Sequence, residues 1–196
     1  MTRCEWANQD LLYCDYHDQE WGVPVYDDHR LFEMLILEGM QAGLSWITIL
    51  RKRENFREAF DDFDVQKIAA YNHHKIKELL HNPGVIRNEL KIKAAITNAQ
   101  IFLRIQESYG SFSQYVWHLV GGTPRINTWR KFSEIPARTA ESDYLSKQLK
   151  KIGFTFIGST ICYAFMQATG MVNDHLIHCF RYHEINSIIH SRNFKK

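Results

Sequence analysis

The stretch Leu145-Ser146-Lys147-Gln148-Leu149-Lys150-Lys151-Ile152-Gly153-Phe154-Thr155-Phe156-Ile157-Gly158-Ser159-Thr160-Ile161-Cys162-Tyr163-Ala164-Phe165-Met166-Gln167-Ala168-Thr169-Gly170 decides the fold. A helix begins at Ala140-Glu141-Ser142-Asp143, runs to Lys151 and meets Gly153. The chain then crosses a tight turn to Gly158 and restarts as a helix at Ser159-Thr160. A new helix starting at Gly-Ser-Thr presents free backbone N–H groups and the positive end of its dipole, which together suit an anion. With Lys150 and Lys151 nearby, a nucleic-acid phosphate fits that place. A plain pair of packed helices with no ligand is the alternative on this stretch alone.

Outward from the hairpin, apolar residues recur at helical spacing. Asp27-Asp28 caps a helix over about 29–41, and a second follows over about 45–56 with Arg51, Lys52 and Arg53 on its exposed face. Further helices are expected over 64–70, 73–80, 88–109 and 113–120, with Asn82-Pro83-Gly84 breaking the chain between two of them. Residues 1–25 are dense in aromatics but lack a period and read as short turns or broken helix. Residues 133–138 read as a loop, and the weakly patterned chain over 184–196 as a loose tail. Few runs alternate at period two, so the fold class is all-α.

A second stretch, Leu37-Glu38-Gly39-Met40-Gln41-Ala42-Gly43-Leu44-Ser45-Trp46, carries the chemistry. Glu38 shares a helical face with Leu31, Met34 and Leu35, which aims a carboxylate at an apolar interior. Such a group is costly there unless something polar or cationic meets it. Two glycines allow close backbone approach, and Trp46 offers an aromatic wall, a combination suited to a flat cationic ligand. An exposed glutamate at a helix end is the plainer reading.

Cys4 and His17 lie at one end of the chain; His175 and Cys179, four residues apart as on one helical face, lie at the other. Two thiolates and two imidazoles fill a tetrahedral zinc site without an open position, so its role would be structural. The spacing is not that of a zinc finger, and unrelated buried cysteines and surface histidines are the alternative. The 196 residues, 45% hydrophobic and 23% charged, suit one large domain or two small lobes. A net charge of +2 does not by itself argue for nucleic acid. Apolar runs are too short to span a membrane, and the N-terminus lacks a signal core, so a cytoplasmic protein is expected.

These pieces resemble the DNA-3-methyladenine glycosylase I family of the helix-hairpin-helix DNA glycosylase superfamily. The resemblance rests on Trp6, Tyr13, Tyr16-His17-Asp18, Glu20-Trp21-Gly22-Val23-Pro24, Leu31-Phe32-Glu33-Met34, Glu38, Gln41 to Trp46, Lys52-Arg53-Glu54, Gly153 to Tyr163, Gly170 and Val172-Asn173-Asp174-His175. It implies a single unit over 1–183 made of two helical lobes. The hairpin lobe covers about 60–150 plus the hairpin over 151–170; the other joins both chain ends around one structural Zn2+ held by Cys4, His17, His175 and Cys179. It implies that Glu38 contacts the damaged base, either as the catalytic base or as recognition and electrostatic support alone, within an aromatic cage of Tyr16, Trp46, Trp6 and Tyr13 and with Trp21 as a wall. Lys151, Gly153, Gly158, Ser159 and Thr160 would grip the DNA backbone. Gly43 and Leu44 would meet the gap left by an extruded nucleotide, with Leu44 as the wedge. The partner implied is double-stranded DNA carrying alkylated bases, and the resemblance favours a monomer.

Two departures from the wider superfamily matter. Where many relatives carry a catalytic aspartate after the hairpin, this chain has Asn173, with Asp174 one step on. Where bifunctional relatives carry a nucleophilic lysine, it has Thr160, so no Schiff base and no strand cleavage is expected. A non-catalytic DNA-binding module would leave the aromatic residues around Glu38 without a purpose. A zinc hydrolase would need an open coordination position where four ligands are available.

Overall fold

The structure, a computed structural model, describes residues 1–7 and 10–193. Its helices are α1 (Leu11–Gln19), α2 (Asp28–Gln41), α3 (Trp46–Ala59), α4 (Val65–Ala69), α5 (His73–His81), α6 (Glu89–Tyr109), α7 (Phe112–Leu119), α8 (Ala140–Lys151), α9 (Ser159–Ala168) and α10 (Phe180–Asn193), with three short 3-10 turns. Extended structure among the described residues amounts to β1 (Arg125–Ile126) paired in parallel with β2 (Val172–Asn173). The all-α class therefore holds.

Helix α2 is the axis of the fold. Its residues from Leu31 to Glu38 are all buried, as is Met40. A helix apolar on most sides belongs in a core. Asp27 caps it by accepting from Arg30 N at 2.9 Å. Asp28 reaches across to the start of α7, accepting from Phe112 N at 2.9 Å and Ser113 N at 2.7 Å, and so meets free helix-start donors. Glu33, buried within α2, is met by Arg53 and Arg57 of α3, and Arg53 also pairs with Glu20. Arg53 therefore faces the interior, not the exposed face expected for it: buried carboxylates require a cation, and α3 supplies it.

Two segments are more ordered than the sequence pattern suggests. The N-terminal region forms a 3-10 turn and α1, capped by Asp10, which accepts from Leu12 N at 2.8 Å. Its period is weak because its faces serve different partners: Tyr13 accepts from Ile47 N of α3, Tyr16 faces the interior, and His17 meets the C-terminal region. Residues 184–193, expected as a loose tail, belong to α10, with Ile185 and Ile189 buried and Asn186 accepting from Asn173 Nδ2 at 2.8 Å. Two isoleucines four residues apart make too short an apolar stripe to stand out as a pattern. Residues 194–196 of that expected tail lie outside the described residues.

The N-terminal region is locked to the hairpin. Gly22 N donates to Gln167 O and Val25 N to Thr169 O, each at 3.0 Å. Gly170 turns at a φ of +65°. It lies so close beneath the 22–25 segment that a Cβ there would stand 2.3 Å from the Val23 carbonyl carbon, a position only glycine fills without strain.

Candidate active site and metal centre

Where α1, α2, α3 and α9 converge there is a cavity of about 530 Å³. Trp6, Tyr13, Tyr16, Trp21, Trp46 and Glu38, all proposed from the sequence, line it together. The rings brace each other in tilted and edge-on contacts, the geometry aromatic pairs favour. Trp6 meets Tyr13 edge-on with centroids 5.4 Å apart. It meets Trp21 edge-on at 5.1 Å. Tyr16 and Trp46 are tilted together at 5.5 Å. Gln41, Ser45 and Gln167 add polar edges.

Glu38 is 3% exposed, and its Oε2 has no hydrogen-bond partner. Desolvation alone pushes its carboxyl up to about 8, because burial disfavours the charged form. Burial likewise raises the Tyr16 phenol, with the neighbouring Glu38 charge adding to the effect. An orphaned buried acceptor is costly, and one that lines a cavity beside aromatic rings can meet a donor or cation entering that cavity.

The opposite wall was not legible in the sequence. Phe132, Ile135, Pro136 and Ala137 come from a 3-10 turn and the loop after it, and Tyr163 and Ala164 from α9. Thr160 also lines the cavity, which sets it apart from the other hairpin residues assigned to the DNA backbone. Gly158 is the N-cap of α9, followed by Ser159; Gly153 turns at a φ of +106°, and Lys151 is exposed. Gly43, at a φ of +80° with open space around it, and Leu44, 41% exposed, sit in the turn just before Ser45 at the cavity wall.

Asp174 is completely buried but stands behind the cavity. Its carboxylate accepts from Asn127 Nδ2 (2.7 Å), Trp129 Nε1 (2.8 Å), Tyr163 Oη (2.5 Å) and Gln167 Nε2 (2.8 Å). Four donors converge on it, and two of them, Tyr163 and Gln167, belong to residues that line the cavity. Only the position of an acid after the hairpin signalled it, because Asn127 and Trp129 are distant in the chain.

The second cluster brings Cys4, His17, His175 and Cys179 together, all buried, with their ligand atoms within 4.8 Å of one another. Cys179 Sγ lies 3.4 Å from His17 Nε2 and 3.7 Å from His175 Nδ1, and Cys4 Sγ lies 3.7 Å from His175 Nδ1. Tetrahedral zinc with ordinary Zn–S and Zn–N bonds sets a sulfur–nitrogen separation of about 3.6 Å. The outer nitrogens are engaged: His17 Nδ1 with Asp18 Oδ1 at 2.8 Å, and His175 Nε2 with the Trp21 carbonyl at 3.0 Å. That pattern leaves one lone pair of each imidazole aimed inward, as metal ligation requires. His175 and Cys179 achieve this in a turn before α10 and not on a helix face, as their spacing suggested; Cys179 N donates to Leu176 O at 2.8 Å. Trp21 joins the two sites, its ring in the cavity wall and its carbonyl on His175.

The family model of methyladenine glycosylase matches residues 6–182. The chain belongs to that family. DNA-3-methyladenine glycosylase 1 of Escherichia coli (strain K12) is 50% identical over 182 residues, 93% of this chain and 97% of that protein. A solved structure of 3-methyladenine DNA glycosylase I superposes with a TM-score of 0.89 at 52% identity, covering 91% of this chain and 98% of the other. A variant of 3-methyladenine DNA glycosylase I, solved in complex with 3-methyladenine, gives 0.88 at 37% identity, with 92% and 97% covered. Membership of this glycosylase family makes the protein a hydrolase of N-glycosyl bonds, acting in DNA repair.

Proposed function

We propose that the protein removes 3-methyladenine from alkylated double-stranded DNA, flipping the base into the aromatic cavity and hydrolysing its N-glycosidic bond to leave an abasic site. The observation that carries this is Glu38 Oε2, buried and without a partner in a ring of indoles and phenols. A base methylated at N3 is cationic within DNA. It is attracted to aromatic faces and to a carboxylate that also accepts from its exocyclic amine. Neutral adenine lacks the charge and gains less, so the cavity discriminates on charge as well as shape.

Extrusion costs a few kcal/mol, less at a damaged pair. In the chemical step the bond from C1′ to the base breaks, and its electron pair neutralises the positive base. A water oxygen bonds to C1′ and gives up one proton. Glu38, ionised against the cation, stabilises positive charge beside it and offers a carboxylate base. Thr160 cannot form a Schiff base, so strand scission does not accompany excision.

The 153–158 turn and the N-terminus of α9, with Lys151, grip phosphates as a helix-hairpin-helix element. Gly43 and Leu44 enter the space left by the base. Cys4, His17, His175 and Cys179 would hold one zinc ion, which would supply a cross-link between the chain ends and leave no open coordination position. The protein works as a single unit of two lobes that runs past residue 183 to include α10, as a monomer in the cytoplasm. Among the described residues no helix is long and apolar enough to cross a membrane.

The test is incubation with methylated duplex DNA and chromatography of the released bases. Free 3-methyladenine, greatly reduced for Glu38→Ala and unaccompanied by nicking, supports the reading. Folded, metal-loaded protein that releases no base removes it.

A further inference from the structure

Helix α6 carries two buried polar side chains that the cavity does not use, Lys91 and Asn98. Seven residues apart, they share a helical face at a separation of about 10 Å along the axis. Each reaches a different loop.

Lys91 reaches the C-terminal end of α2. Its Nζ donates to the Met40 carbonyl at 2.9 Å and to the Ala42 carbonyl at 2.6 Å. These oxygens lie where the helix leaves carbonyls unsatisfied and its dipole is negative, a favourable place for an ammonium. The residues that follow are Gly43 and Leu44, whose turn closes with Leu44 N donating to Gln41 O at 2.7 Å. A buried lysine is expensive unless its protons are used. Here they hold down an exposed apolar turn beside the cavity.

Asn98 grips the hairpin. Its Nδ2 donates to the Thr155 carbonyl at 3.0 Å, and its Oδ1 accepts from Thr155 N at 2.9 Å. This two-point clamp fixes the backbone just before Phe156, which turns at a φ of +52° and is partly exposed. Between the clamps, α2 and the hairpin turn meet directly: a Cβ on Gly39 would lie 3.7 Å from the Phe156 carbonyl oxygen. Ala94 and Ala95 of α6 line the same crevice, their small side chains leaving room for that approach.

We infer that Lys91 and Asn98 are positioning residues that tie the Gly43–Leu44 turn and the hairpin turn to one rigid helix, so that insertion into the duplex and grip on its backbone occur in a single register. The inference rests on the DNA-glycosylase reading above. A wedge held by an ordinary surface loop would sample many positions, and an ångström of misplacement can cost on the order of a hundredfold in rate.

The experiment measures kcat and KM for base release from methylated duplex DNA and from the same strand without its complement. A single strand needs no wedge. Lys91→Met is expected to lower kcat on duplex on the order of tenfold or more while changing the single-strand rate less than about threefold. Lys91→Arg, which keeps two donors, restores most of the loss, and Asn98→Ala acts instead through a raised KM for duplex. Amide hydrogen exchange gives a second readout that needs no chemistry: faster exchange across 42–45 in Lys91→Met and across 153–158 in Asn98→Ala. Equal losses on both substrates, or exchange unchanged in both loops, overturn the inference. If Lys91→Met does not fold, Lys91→Gln takes its place under the same criteria. Wild-type protein that releases no base from either substrate instead overturns the glycosylase reading on which the inference stands.

Discussion

Glu38→Gln should stabilise the protein in alkaline buffer and leave its stability unchanged in acid. The wild-type carboxyl is buried, lacks a partner on Oε2, and is raised from 4.5 to about 8 by desolvation. A group whose folded pKa is raised contributes stability that is fully present below its unfolded pKa and is lost as pH climbs through the folded one. The loss therefore begins near pH 4.5 and levels off above about pH 8. Each pKa unit corresponds to about 1.4 kcal/mol, so the whole shift sets a ceiling of about 5 kcal/mol. Glutamine is close in shape to the protonated acid and carries no charge, so its stability lacks this descent. Urea unfolding of both proteins at acid, neutral and alkaline pH reads the difference directly. The variant's advantage should grow with each step up in pH and reach several kcal/mol once the wild-type carboxyl is fully ionised. A difference that stays flat across the whole range would mean that Glu38 is solvated or paired, and not the unsatisfied carboxylate described above.

Chelation of the proposed metal, or Cys179→Ser, should lower stability by several kcal/mol, because the four buried groups that could ligate it would then lack a common partner. Because the Trp21 carbonyl braces His175, tryptophan emission from the cavity should shift in step with metal loss; thermal denaturation with and without chelator, followed by fluorescence, checks both. Gly170→Ala should cost about 3 kcal/mol or more, a strained position being among the severe classes of substitution. Its Cβ would stand 2.3 Å from the Val23 backbone at a positive φ. A melting temperature indistinguishable from wild type would contradict that placement.

Much of this architecture is legible in the sequence where one helix face does one job. The apolar stripes of α2 and α6, the Asp27 cap and the glycines bracketing the hairpin all announce themselves locally. Glu38 stands out because a carboxylate among leucines and methionines calls for an explanation. Legibility fails where a segment answers to several partners at once. In α1, Tyr13, Tyr16 and His17 serve α3, the cavity and the metal cluster, so no period emerges. Arg53 looks like a surface cation until the buried Glu33 is placed beside it. The far cavity wall, 132–137, and the four donors on Asp174 depend on chain segments that only the tertiary fold brings together. In α10, two buried isoleucines are too few to distinguish a packed helix from a tail.

The most direct test of the central claim is the release of free 3-methyladenine from methylated duplex DNA, compared between wild type and Glu38→Ala at matched stability and metal content. Rapid release by wild type, severe loss in the variant and intact strands in both reactions are expected. Release at equal rates by the two proteins, or no release by either, would contradict the role given to Glu38 and its cavity.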